Sequence, residues 1–254
     1  MVLERVGIVG VPPREIIRGL NETGTEIVDL DEPQVSRSLD LVDSYLPRVY
    51  CAVLRTVVLN ATNLALDRIY IDVGPGKCDC ALHVATILKE RLAIPVITTR
   101  NLDMEGVGYP LCRAEMPLVD KVSAITRNVR RADPDHAPHP PCRPSAGFWG
   151  VPPRDFSLLS LFPDTTHIYG WTRCMENKTP ADLALESRMN PDIPTVFFAQ
   201  SFCAKTALAK HLADRHPQAL FLDCDVTASS SVRAKIEAFF ELSGIPVGNQ
   251  GGAR

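Results

Sequence analysis

Eight cysteines stand at positions 51, 78, 80, 112, 142, 174, 203 and 224, and their thiols are the most reactive groups of the chain. It is the thiolate that attacks electrophiles and ligates soft metals. No pair has the Cys-x-x-Cys spacing of a zinc ribbon or a ferredoxin loop, so a metal site has to be assembled from distant segments. The sharpest local signal is Arg68 to Cys80, RIYIDVGPGKCDC. Ile69, Tyr70, Ile71 and Val73 read as a short strand, and Gly74, Pro75 and Gly76 break it. The apolar spacing of Ala81, Val84, Ile87 and Leu88 then predicts a helix from Cys80 to Leu92. A cysteine there stands at a helix N-terminus, where unpaired N–H groups and the helix dipole favour the thiolate. Gly74-Pro75-Gly76-Lys77 lacks the spacing of a phosphate-binding loop and implies no nucleotide site.

The elements that must position these thiols alternate. Val6 to Val9 reads as a strand, Glu15 to Leu20 as a helix entered through Pro12-Pro13, and Thr25 to Leu30 as a second strand. Leu39 to Leu66 reads as largely helical, broken at Pro47, and leads into the strand at Arg68. The helix from Cys80 and a strand at Pro95 to Thr99 follow, and Leu111 to Val129 turns helical after Pro117. Such β-α alternation predicts an α/β fold with a parallel sheet covered on both faces. Residues 132–144 hold five prolines in thirteen positions and cannot form a helix or a central strand. The predicted organisation is an N-terminal α/β domain at 1–131, a proline-rich linker at 132–147 and a C-terminal α/β domain at 148–254.

The second half repeats the first. Gly150-Val151-Pro152-Pro153-Arg154-Asp155 copies Gly10-Val11-Pro12-Pro13-Arg14-Glu15 at an offset of 140 residues. Thr166 to Tyr169 answers the strand at Thr25, Thr195 to Ala199 answers Ile69 to Val73, and Ala219 to Leu222 answers Val96 to Thr99. Phe202-Cys203-Ala204 is expected to open a helix as Cys80-Ala81 does. Two Rossmann-like halves of this kind imply a cleft at the carboxyl ends of their strands, faced by Cys78, Cys80 and Cys203. Cys174 follows a second-half strand and is a further candidate to face it.

Composition narrows the classes. The chain is 254 residues long, 45% hydrophobic and carries a net charge of -3, enough for a packed core and no basic stripe for nucleic acid. No apolar run reaches the roughly 18 to 20 residues of a membrane span, and no basic segment with an apolar signal core opens the chain. It reads as a cytoplasmic protein, in which eight cysteines speak for metal or redox chemistry over disulfides.

Several segments together resemble the 2-hydroxyacyl-CoA dehydratase and benzoyl-CoA reductase iron-sulfur subunit family, of the D-component type. Pro13-Arg14-Glu15-Ile16-Ile17 is similar to its Pro-x-Glu-Leu-Ile opening. Tyr45-Leu46-Pro47 through Cys51 to Arg55, and Leu66-Asp67-Arg68 through Cys78-Asp79, resemble the segments of its first two cluster cysteines. Phe202-Cys203, Phe221-Leu222-Asp223-Cys224-Asp225 and Arg233 to Glu241 resemble its last cysteine and its ending. The resemblance implies a [4Fe-4S] cluster on Cys51, Cys78 and Cys203, with one iron left open. The repeat pairs Cys80 with Cys203 instead, so Cys80 stands beside Cys78 as a ligand candidate, and Cys174 would close the fourth position. The family implies an ATP-dependent activator or other low-potential electron donor, homo- or hetero-oligomers, an acyl-CoA substrate, and radical dehydration or reduction. The alternatives are a non-enzymatic binding or metal-cofactor carrier protein that uses the same cysteine-lined cleft, and zinc in place of iron.

Overall fold

The computed structural model describes residues 3–108 and 110–246. Two compact units form, the first from Met1–Val107, Arg127–Asp135 and Asn177–Leu183, the second from Gly108–Thr126, His136–Glu176 and Ala184–Arg254. The segment expected as a linker is divided between them, residues 132–135 belonging to the first and 136–147 to the second. Residues 247–254 of the expected C-terminal domain lie outside the described residues.

The first unit contains β1 (Arg5–Val9), α1 (Arg14–Glu22), β2 (Glu26–Asp29), α2 (Ala52–Asn63), β3 (Arg68–Asp72), α3 (Cys80–Arg91) and β4 (Val96–Thr99). Its four strands are all parallel, in the order β2-β1-β3-β4, with Ile8 paired to Asp29 on one side and Tyr70 on the other. Val6, Ile8, Val9, Ile69 and Ile71 are buried, as strands covered on both faces require. α3 lays Ala81, Val84, Ala85 and Leu88 against β3 and β4, a spacing of i, i+3, i+4 and i+7 that forms one apolar stripe.

Leu39 to Leu66 is not a helix broken once at Pro47: a 3-10 turn at Leu39–Val42 is followed by irregular chain until α2. The intervening residues are held instead by side chains, with Asp43 bonded to Arg48 Nε at 2.9 Å and to Arg55 Nη2 at 2.7 Å.

α4 (Leu118–Asn128) has residues in both units. Then follow β5 (Gly147–Gly150), β6 (His167–Tyr169), α5 (Trp171–Asn177), α6 (Leu183–Ser187), β7 (Thr195–Gln200), α7 (Thr206–Ala213), β8 (Ala219–Cys224) and α8 (Ser230–Leu242). The second sheet is again parallel, in the order β6-β5-β7-β8, so the sequence repeat is a repeat of topology. Trp149, Phe197, Ala199, Ala209 and Ala213 form its core between the strands and α7, and Trp149 Nε1 donates to Glu186 O at 2.8 Å. Phe240 of α8 is buried against Phe162 with the rings edge to face at 5.1 Å.

Among the described residues no helix is long and apolar enough to cross a membrane.

Candidate functional site

In each sheet the order puts the first and third strands of the repeat side by side while their connections leave in opposite directions, and ligands of open α/β sheets bind at such a switch point. In the first unit this point is the carboxyl end of β1 and β3. Gly10, at φ +77°, turns the chain out of β1, and a Cβ on it would lie 2.6 Å from Lys77 Cε. Lys77 thus lies across the Gly10 backbone. Asp31 accepts from Gly10 N at 2.7 Å through Oδ2, and Lys77 Nζ stands 3.5 Å from that same oxygen. Asp72, closing β3, accepts from Asn101 N at 2.8 Å and Thr99 Oγ1 at 3.2 Å. Its other oxygen, Oδ2, and Oδ1 of Asp31 are buried without a hydrogen-bond partner among the described residues.

The charges at this edge shift one another. Burial works against the ammonium of Lys77, but Asp31, Cys78, Asp72 and Asp29 outweigh it and hold its pKa above the ordinary lysine value. Burial raises the pKa of Asp72. It raises that of Asp29 further, helped by the neighbouring Asp31 and Glu32. Lys77, Asp31 and Asp72 escaped the sequence reading. The signal was present in the Lys of Gly-Pro-Gly-Lys, but Asp31 joins it only through the parallel pairing of β1 with β2.

None of the eight cysteines is in a disulfide. Cys78 lies in the loop after β3, half-buried, and Cys80 is the first residue of α3, within hydrogen-bond reach of Cys78. The expected activation of a helix N-terminal thiol does not hold for Cys80. Burial first, and the adjacent Cys78 second, push its pKa up, because desolvation outweighs the few backbone N–H groups that favour the thiolate. Cys51 is the N-cap residue of α2 and is buried.

In the second unit Cys203 sits half-buried in the loop after β7. The helix expected to open at Cys203 begins at Thr206, because Phe202 takes φ +63°, a left-handed conformation that no helix continues through. Cys174 is fully buried within α5. Cys112 and Cys224 are buried too, and burial raises the pKa of both thiols, that of Cys224 to about 11. Cys142 Sγ approaches His167 Nε2 to 3.7 Å, yet the closer partner of that nitrogen is Cys142 O at 3.0 Å, which ties the ring to the backbone. Among the described residues no three His, Cys, Asp or Glu side chains gather into a group that could hold a metal ion.

The fold and its two carboxyl edges define an α/β protein of two parallel sheets. No protein-family model matches the chain, and no curated protein does. Solved structures similar to it include the glycotransferase of kitacinnamycin, at 12% identity over 96% of this chain and 97% of that one, with a TM-score of 0.24. MenH from S. aureus is similar at 13% identity over 95% and 94%, with a TM-score of 0.22. An alpha/beta hydrolase from Sphaerobacter thermophilus DSM 20745 is similar at 11% identity over 95% and 92%, with a TM-score of 0.18. Likenesses this distant say nothing of function.

Proposed function

We propose that the chain is a [4Fe-4S] protein related to the dehydratase and reductase subunits, its cluster held by Cys51, Cys78 and Cys203, acting in low-potential reduction or radical dehydration with an electron-donating partner. The observation that supports this reading most is positional. Cys78 and Cys203 occupy the loop between the third strand and the following helix in each of two sheets with the same strand order. Cys51 caps the helix that returns the chain to β3 and so begins at the carboxyl edge of the first sheet.

The donor set fits such a cluster in kind, being soft thiols outside any disulfide. Metal binding and local folding are coupled in such sites, so the ligand set need not be preformed in the protein alone. Three thiolates would leave one iron open, and a cluster so held supplies one-electron transfer and a Lewis-acidic iron. The chain's own part would be to fix the thiolates and, through Lys77 with Asp31 and Asp72, to present charge and hydrogen-bonding capacity beside Cys78.

A second reading, a non-enzymatic binding or metal-cofactor carrier protein, is favoured by the buried, unpartnered oxygens of Asp31 and Asp72, which a polar ligand could satisfy.

The test is anaerobic reconstitution, with iron, sulfide and zinc quantified and an absorption spectrum taken. It is repeated on Cys51→Ala, Cys78→Ala, Cys80→Ala, Cys174→Ala and Cys203→Ala. About four irons and four sulfides per chain are expected. They should be lost with Cys51, Cys78 or Cys203 and retained without Cys80 or Cys174. A colourless, metal-free protein leaves the second reading standing, and zinc without sulfide overturns the cluster.

A further inference from the structure

The repeated Gly-Val-Pro-Pro-Arg motif places an arginine twice, and the two copies meet different surroundings. In the first unit Arg14 Nη2 donates to Glu105 O at 2.8 Å, and Arg14 N donates to Asp103 Oδ2 at 3.0 Å. In the second unit Arg154 N donates to Gln200 Oε1 at 3.1 Å. Gln200 is itself buried and fixed, its Nε2 donating to Cys224 O at 2.8 Å. The backbone of Arg154 is thus anchored as firmly as that of Arg14.

Its guanidinium is not matched in the same way. Nε and Nη1 of Arg154 are buried and have no hydrogen-bond partner among the described residues. Burial lowers its pKa, and among the described residues no carboxylate offsets that effect. The adjacent Asp155 is turned elsewhere, accepting from Ser157 N at 3.0 Å and Ala228 N at 3.1 Å. Two other partly buried cations of this unit are paired with carboxylates, Lys205 with Glu186 and Arg173 with Glu176. An arginine cannot shed its proton to escape such a site, and a partly buried cation without a counter-charge is costly.

The position of this uncompensated charge is informative. Arg154 follows β5, next to β7 in the order β6-β5-β7-β8, at the switch point of the second sheet. The backbones are tightly drawn there, since a Cβ on Gly150 would lie 2.3 Å from Phe198 O. We propose that Arg154 anchors an anion site at the carboxyl edge of the second sheet, which takes the carboxylate or phosphate group of a small molecule. The planar guanidinium matches either oxyanion, and the bound charge supplies the acceptor that the protein does not. The site goes beyond the cluster reading and does not depend on it.

The test uses the whole chain with two probes, inorganic phosphate and malonate, whose separate arms distinguish phosphate from carboxylate recognition. Thermal denaturation is followed at constant ionic strength for the unaltered protein, Arg154→Lys and Arg154→Met. At least one probe should stabilise the unaltered protein, with about a tenfold rise in the folded-to-unfolded ratio at ten times its Kd. Arg154→Met should lose the effect, and Arg154→Lys should weaken it, because an ammonium keeps the charge without the fork. Without a probe, Arg154→Met should be at least as stable as the unaltered protein, since the guanidinium has no internal acceptor to lose. Equal stabilisation of Arg154→Met, no stabilisation by either probe, or a probe-free Arg154→Met that is destabilised would overturn the proposal. Iron and sulfide are measured on the same Arg154→Met preparation, so loss of the anion site and failure of the cluster reading are seen separately.

Discussion

Gly10 and Lys77 share one small volume, and that contact ties the turn after β1 to the loop after β3. At φ +77° any residue but glycine is strained, and a methyl group would also push the Lys77 side chain off the Gly10 backbone. Gly10→Ala should therefore cost about 1–3 kcal/mol of stability in a urea titration. Part of that cost is displacement of Lys77 from Asp31, so the same change in a Lys77→Ala background should cost less. Equal costs in the two backgrounds would mean that backbone strain alone accounts for the loss. Cys80 teaches the complementary lesson at this scale. Its sequence position promises a reactive thiol, yet burial and Cys78 set its pKa in the opposite direction.

At the scale of the element, α3 carries the loop cysteines into the fold through one apolar stripe. Leu88 is fully buried on that stripe, whereas Leu82 on the other side of the same helix is 51% exposed. Leu88→Ala should lose about 2–5 kcal/mol, through transfer and cavity terms together. Leu82→Ala should stay within about 0.5 kcal/mol of the unaltered protein. Chemical denaturation of the two variants checks both, and comparable losses would contradict the packing of α3 described above. In the second unit the element following the cysteine loop starts later, because Phe202 reverses the sign of φ just before it. Cys203 is consequently a loop residue whose thiol is placed by the turn, not by a helix.

Across the whole molecule, buried ionisable groups make stability depend on pH in two opposing ranges. Burial brings the pKa of Lys178 down to about 7 and that of Lys121 to about 8. Between those values and the unfolded lysine value near 10.4, the folded state binds fewer protons than the unfolded state, so stability rises with pH. The rise begins with Lys178 and steepens above about pH 8 as Lys121 joins, each adding at most about 1.4 kcal/mol per pH unit. The raised carboxylates Asp29 and Asp72 act oppositely in acid, where stability falls as pH climbs from about 3.9 towards their folded values. Lys178→Met should remove the onset near neutrality and leave only the shallower rise above about pH 8 that Lys121 contributes, as read from urea midpoints at about pH 6, 7, 8 and 9. An unchanged slope between pH 7 and 8 would exclude Lys178 as its source.

The strand pattern, the α/β class and the internal repeat were all legible in the sequence. Short β-branched runs, glycine and proline breaks and the 3.6-residue apolar spacing are local signals, and every strand expected in the first half forms within a residue or two of its predicted bounds. Candidate chemistry was legible as residue type: the thiols at 51, 78, 80, 174 and 203 could be named from spacing and resemblance alone. What each group experiences was not legible, because burial and charge come from chain segments far apart. Asp31 reaches Gly10 and Lys77 only because β1, β2 and β3 are parallel neighbours. Arg14 and Arg154 are identical in their local motif, yet a carbonyl from Glu105 accepts from the first, and among the described residues no acceptor meets Nε and Nη1 of the second. The sequence by itself determined most of the elements that form and which residue types can react. The tertiary structure decided which of those residues are desolvated, paired or left with an unmet charge, since solvation and Coulomb energy depend on distance in space.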